Sequence, residues 1–379
     1  MNGRRSSLGG LHCIGVSIQD ASRRVAMDFP ESESAIRKPK REDNAQEDDL
    51  VRSANEPTTE PQPLLASSAR QTDVVTETFT PKPLPTAPKE RWWTSLVVIV
   101  ASLLVFIAAT FVMTLVAAIY VHGSLSGSFL TNPDSLRRVT QSPVGLLLII
   151  VTPQIALVTP CLIAAYLSPQ PMRQRLALVK GHWPVWAWIT AALATPLIGI
   201  ISGIIIGLFL NESAALQEMA EIFRQQSQAG FTAQLVLMIA VTPALCEELL
   251  FRGYVQSRLT RVFPPVLGIL FSSIVFAAFH MDPVHVIAVV PLGLFLGWLT
   301  WQSGSLFPAI LAHFANNLVS VLGIIIAPTG DTNTFSLPAL EFTLGILLFG
   351  CIGMAATSFA AITYRRSNPT SLDATTKTI

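Results

Sequence analysis

The chain has 379 residues, with 25 Lys and Arg against 24 Asp and Glu and a formal net charge of +1. Hydrophobic residues supply 51 %, charged residues only 13 %, and mean hydropathy is +0.52, a balance that a soluble domain of this length does not carry. Near-neutral charge without a basic patch excludes nucleic acid as a partner, and four dispersed cysteines (Cys13, Cys161, Cys246, Cys351) form neither a disulfide framework nor a CxxC metal site, which leaves them to packing.

Residues 1–90 are rich in Ser, Pro, Asp, Glu, Lys and Arg and show no sustained apolar periodicity. Such a chain cannot bury enough surface to offset its conformational entropy, so a disordered cytoplasmic tail is predicted. It lacks the apolar stretch of roughly 7–15 residues that marks a signal peptide. Pro81-Lys-Pro-Leu-Pro-Thr-Ala-Pro88 predicts a semi-extended spacer ahead of the membrane.

From Trp92 onward the apolar runs reach the ~20 residues that a helix needs to cross a ~30 Å hydrocarbon core. Spans are predicted near 92–121, 144–167, 184–210, 232–257, 265–282, 284–301, 305–327 and 338–363. The fold class is therefore all-α, a polytopic transmembrane bundle of about eight helices behind the tail. Turn chemistry marks the breaks at Gly123-Ser124, Ser168-Pro169-Gln170-Pro171, Asp282-Pro283, Ser303-Gly304 and Pro328-Thr329-Gly330. Residues 211–230 predict an amphipathic interfacial helix with Leu216, Met219, Ile222 and Phe223 on one side, either a loop helix or a substrate gate.

Cations flank the spans unevenly. Lys82, Lys89 and Arg91 precede the first span, Arg173, Arg175 and Lys180 lie between the second and third, Arg258 and Arg261 follow the fourth, and Arg365 and Arg366 follow the last. The positive-inside rule then puts both chain ends in the cytoplasm, in agreement with an even number of spans, for a multi-pass protein of the cell (inner) membrane. Trp92, Trp93, Trp183, Trp186, Trp188, Trp298 and Trp301 all fall near the inner interface in this scheme.

The fourth span contains Thr242-Pro-Ala-Leu-Cys-Glu247-Glu248-Leu-Leu-Phe-Arg252-Gly253. A charge at the centre of a bilayer helix costs about 2.5–3.5 kcal/mol on insertion scales, so three within six residues need a reason. Glu248 and Arg252 are i,i+4 neighbours with the acid on the N-terminal side, the favourable order. Glu247 points about 100° away around the helix. This predicts a division of labour, with Glu248 neutralised structurally and Glu247 left free for chemistry.

The later spans add His280, His285, His313, Asn316 and Asn317. A lone intramembrane His is more often a hydrogen-bonded packing residue than a ligand, but several polar groups at membrane depth are tolerated where they converge on one wet cavity. Glu and two His can hold a divalent metal with an open position for water, or activate water directly. An imidazole and a carboxamide one helical turn apart, His313 and Asn317, can donate to a developing oxyanion. These are the parts for peptide-bond hydrolysis.

Glu247-Glu248-Leu-Leu-Phe-Arg252, Phe276-Ala-Ala-Phe-His280 and His313-Phe-Ala-Asn-Asn317 resemble the EExxxR, FxxxH and HxxxN motifs of the CPBP intramembrane proteases. That family is also called the CAAX-protease, bacteriocin-processing or abortive-infection (Abi) family, and includes the type II CAAX prenyl endopeptidases. The resemblance covers roughly residues 185–325, most densely 240–320. It implies an integral-membrane endopeptidase whose partners are the lipid bilayer and a membrane-associated peptide or protein substrate, lipidated or not. It further implies that Glu247 and His280 activate water, that His313 and Asn317 bind the oxyanion, and that Glu248 and Arg252 support the site. The family is catalogued as metalloprotease-like, and a metal-independent glutamate mechanism is argued for it as well. Zinc or another divalent metal, where required, would rest on Glu247, His280 and His313.

The resulting organisation is a tail and linker at 1–90, N-terminal transmembrane helices at 91–184, a catalytic membrane core at 185–325, and a last transmembrane helix with a short tail at 326–379. One tension remains in the span assignment. Glu247 falls in the middle to inner part of its span and His280 near the outer end of the next, so their convergence requires tilting, a break near Pro243 or Pro264-Pro265, or different boundaries. His285 matches no motif and is expected to cap or pack, and Asn316 to serve as a helix-contact residue. Two other classes compete: a catalytically silent membrane scaffold or bacteriocin-immunity-type protein of the same fold, and a proton-coupled transporter, against which the absence of paired interrupted spans argues.

Overall fold

The computed structural model of the protein describes residues 91–124, 132–326 and 337–364. The predicted tail with its Pro-rich spacer, Cys13, the Pro328-Thr329-Gly330 break, and Arg365 and Arg366 lie outside the described residues.

The described residues form helices and no strand. In chain order they are α1 (Trp93–His122), α2 (Pro133–Gln141), α3 (Pro143–Tyr166), α4 (Met172–Arg175), α5 (Val185–Gly207), α6 (Ala214–Gln226), α7 (232–262), α8 (Pro265–Ala278), α9 (Pro283–Ser303), α10 (Phe307–Ile326) and α11 (Leu337–Thr363). Among the described residues seven helical stretches are long and apolar enough to cross a membrane: α1, α3, α5, the kinked Ala214–Val262 stretch that joins α6 to α7, α9, α10 and α11. Their outward faces carry Val97, Val100, Leu104, Phe111, Ile201, Ile204, Leu348 and Phe359, all exposed. Large apolar side chains in that number on a helical surface belong against lipid.

The fifth predicted span, 265–282, is shorter than expected. α8 has 14 residues, which rise only about 21 Å. The apolar run continues past Ala278, but the backbone does not: His280 N–H donates to Ala277 O (3.0 Å), Asp282 N–H to His280 O (2.7 Å), and Met281 takes a left-handed φ of 59°. Asp282 then caps α9 by accepting the His285 N–H (2.9 Å), with Pro283 at the first helical position. The hydroxyl of Ser213, the cap of α6, also meets Asp282. The His285 N–H first, then the Ser213 hydroxyl, hold the Asp282 carboxyl below the usual carboxylate range. The α8–α9 turn therefore lies level with the start of α6.

α6 and α7 are joined through Gly230, whose φ of 91° suits the one residue without a Cβ. Ser213 caps α6 by accepting the Leu216 N–H (3.3 Å). Its apolar side buries Ile222 in a cluster with Leu146, Leu235, Met238 and Val321, so α6 lies on the bundle along the predicted 211–230 stretch.

α7 is not a regular helix. Residues Val236–Val241 and Leu249–Gln256 wind with the wider π spacing. Pro243 accounts for the first of these: it has no N–H to give and its ring crowds the carbonyl four residues back. The freed Ile239 carbonyl accepts instead from Asn317 Nδ2 on α10 (3.1 Å), and the Leu237 carbonyl from Thr242 Oγ1 (2.8 Å). π turns of this kind recur at functional sites.

α9 packs closely on α7 because two glycines one turn apart, Gly293 and Gly297, face it. A Cβ on Gly297 would meet Gln256 Oε1 at 2.6 Å and Ile269 Cγ2 at 2.9 Å. The bared carbonyls are used: Arg252 Nη2 donates to Gly293 O (3.0 Å) and Gln256 Nε2 to Gly297 O (2.8 Å). On α3, Leu157, Val158 and Cys161 pack into one cluster with Leu250, Phe251, Tyr254 and Phe276. Cys161 and Cys246 are buried and Cys351 is exposed on α11.

Candidate active site

Each charged residue of the fourth span has a definite place. Arg252 Nη1 donates to Glu248 Oε1 (2.7 Å), and both side chains are fully buried. The i,i+4 spacing brings them together on one helix, and Gly293 O takes a second guanidinium proton. Arg252 also lies over the Phe276 ring, 4.2 Å from its centroid. The charge is thus held by a carboxylate, a carbonyl and an aromatic face, the conditions under which a buried guanidinium is tolerated.

His313 of α10 completes this arrangement. Its Nδ1 lies 2.9 Å from Glu248 Oε1, and its Nε2 lies 4.0 Å from Glu247 Oε2. An ionised carboxylate only accepts, so Nδ1 carries the proton toward Glu248. The ring is thereby oriented with Nε2 toward the second acid. Glu247 is the carboxylate outside the ion pair, with its side chain 12 % exposed. Its other oxygen, Oε1, accepts from Gln154 Nε2 on α3 (3.1 Å).

His280, just beyond the end of α8, also touches Phe276. That ring makes edge contacts with His280 (5.2 Å between centroids) and His313 (5.8 Å). His280 Nδ1 lies 3.2 Å from Phe276 O, a contact in which the ring N–H donates, and its ring packs against His285 at 4.7 Å. Among the described residues no hydrogen bond or ion pair joins His280 to Glu247. The two are nonetheless equally far along the chain from the Phe263-Pro264 turn that joins α7 to α8, so the antiparallel pair sets them at similar depth. The continuation of α7 to Val262, past the predicted end of the fourth span at 257, removes the difference in level that the predicted boundaries created.

Asn317 donates to Ile239 O with one of its two amide protons, and its Oδ1 accepts from Asn316 Nδ2 (3.2 Å). The second Nδ2 proton remains for another acceptor. Asn316 is buried, with its Oδ1 against Gly199, where a Cβ would come within 2.6 Å. It therefore serves both the α5–α10 contact and the orientation of Asn317.

The structure thus gathers Glu247, Glu248, Arg252 and His313, keeps His280 one aromatic ring away, and turns Asn317 partly toward the backbone. No three His, Cys, Asp or Glu side chains are grouped as a metal site among the described residues. The set Glu247, His280 and His313 does not fit a three-donor ion in this arrangement. Gln154 was not singled out from the sequence. The available signal was a carboxamide directly after Pro153 inside an otherwise apolar run.

Residues 229–319 match the family model described as type II CAAX prenyl endopeptidase Rce1-like. That interval holds all three motifs and leaves out α3, α5 and α11. No curated protein and no solved structure matches the chain. With seven membrane-length helices among the described residues, the chain is a multi-pass integral membrane protein, and its residues 229–319 are similar to the Rce1-like CAAX-protease family that its motifs resemble.

Proposed function

We propose that the chain is an intramembrane endopeptidase in which Glu247 is the general base. The observation that carries this is the unequal use of the two adjacent acids. Glu248 is sealed against Arg252 and His313, whereas Glu247 keeps one oxygen, Oε2, facing the His313 Nε2 across 4.0 Å. That gap is too long for a direct hydrogen bond. It suits a water on Glu247 beside a substrate carbonyl oxygen on His313.

In this reading Glu247 Oε2 takes a proton from water as the oxygen attacks the scissile carbonyl carbon. Negative charge develops on the carbonyl oxygen. His313, held through Nδ1 by Glu248, turns Nε2 to that oxyanion and donates to it once both ring nitrogens carry protons, and the spare Nδ2 proton of Asn317 supplies the second donor named by the resemblance. Glu248 fixes the ring and stabilises its positive charge. Glu247 then returns its proton to the leaving amine as the C–N bond breaks. The resemblance also gives His280 a part in activating the water, which in this geometry requires the ring to leave Phe276 O and approach Glu247 when substrate binds.

The experiment is hydrolysis of quenched-fluorescent peptides by detergent-purified protein, with a prenylated CAAX peptide and its unprenylated form as the first pair, because the Rce1-like match points there. Glu247→Gln is expected to lower kcat at least ~100-fold with the unfolding temperature unchanged. Persistent activity would overturn the base assignment and favour a silent scaffold with a contaminating peptidase. Chelator is expected to leave the rate unchanged; loss that zinc restores would assign a metal-bound water to Glu247, His280 and His313.

A further inference from the structure

We infer that Gln154, outside the Rce1-like interval, is a positioning residue for the catalytic carboxylate. This rests on the reading of Glu247 as the base. Gln154 lies on α3 in register with Val158 and Cys161, the i,i+4,i+7 stripe that faces α7. Val158 is buried in the shared core and Cys161 Sγ reaches Leu249 O (3.5 Å). An apolar side chain would continue that stripe. Instead the position holds a carboxamide, and it meets the one acid that the ion pair leaves out.

The contact constrains what Glu247 can do. With Oε1 accepting from Gln154 Nε2 at 3.1 Å, the carboxylate plane is fixed and Oε2 is the oxygen left toward His313. The amide therefore selects which oxygen accepts the water's proton. Among the described residues the Gln154 Oε1 is buried without a hydrogen-bond partner, so the amide is engaged through its Nε2 bond to Glu247. The matched interval supplies the base, and a helix outside it holds that base in position.

The test uses the full chain in detergent and compares Gln154→Met, which keeps the volume and removes the amide, with Gln154→Glu, which keeps the shape and replaces the donor with an acid. Glu247→Gln is run alongside. The expected result is a kcat lowered roughly 10- to 100-fold in both Gln154 variants, with KM within about twofold and an unchanged unfolding temperature. A purely structural role would not separate kcat from KM at constant stability. Full kcat in either folded variant overturns the proposal, and failure of both to fold assigns Gln154 to the scaffold and overturns it as well. Activity in Glu247→Gln would instead overturn the proposed function, a result distinct from any behaviour of the Gln154 variants.

Discussion

Adjacent acids in one helix differ in environment because a helix turns about 100° per residue. Glu248 lies on the side where Arg252 follows one turn later and where His313 arrives from α10, whereas Glu247 meets Gln154 from α3. Removing the guanidinium would leave a fully buried carboxylate with only an imidazole beside it. Arg252→Ala is expected to destabilise the protein by about 3–5 kcal/mol, measured as a lowered unfolding temperature in detergent; an unchanged temperature would show that the pair holds nothing together. The Glu248–Arg252 spacing is legible in the sequence because both residues ride one helix. The partners His313 and Gln154, 65 and 93 residues away, are not, because no local periodicity encodes which distant helix face comes opposite. The resemblance named His313 as an oxyanion donor, but its bond to Glu248 became visible only in the fold.

At the scale of elements, α7 and α10 are joined by a defect and its repair. Pro243 frees the Ile239 carbonyl, and Asn317 Nδ2 occupies it. Asn317→Ala should therefore leave a carbonyl unpaired at membrane depth, a loss of about 1–3 kcal/mol. In a Pro243→Ala background the restored N–H at position 243 can take that carbonyl, so the same substitution should cost measurably less. Thermal unfolding of the two single variants and the double variant reads the coupling, and strictly additive effects would separate Pro243 from Asn317. Element types followed from hydropathy with little ambiguity, because long apolar runs admit only helix in a bilayer. The end of α8 did not. Residues 278–281 are as apolar as those before them, apart from His280, and the chain reverses there through a left-handed Met281, a conformation that no side chain in the stretch announces.

Across the whole molecule, the starts of α1 and α5 meet the ends of α7, α9 and α11. Thr94 bonds Arg258, Trp92 packs edge-on against Phe263, His182 N–H donates to Ser303 O (3.0 Å), and Trp186 lies 6.2 Å from Tyr364. The opposite end holds the Asp282–Ser213 contact and the bond from Arg224 Nε to Ile324 O (3.2 Å). Short as it is, α8 thus makes an ascending leg between α7 and α9, and the start of α1 and the end of α11 share one side. Arg91, Arg173, Arg175, Lys180, Arg258 and Arg261 border that side, so it is expected to face the cytoplasm. A C-terminal tag should resist protease in right-side-out vesicles and be cleaved in inverted ones; the reverse pattern would invert the topology. The count of crossings was legible in the sequence, since charge asymmetry and run length survive an error in any single boundary. The depth of the site was not, since it depends on where α7 ends and the chain turns back.

The wide turns of α7 bear on how the chain tolerates changes of length. A π turn is equivalent to one residue added to a regular helix, with the excess absorbed where Pro243 has already broken the ladder. The loss of a single codon within 236–241 could be taken up by a return to ordinary winding, with hydropathy and span length almost unaltered. Everything after it would keep its phase, whereas the same loss in a regular stretch of α7 ahead of the acids, with no wide turn to absorb it, would swing both acids by about 100° away from Gln154 and His313. The address of the carboxylates is therefore set by where along α7 the chain changes length as well as by residue identity.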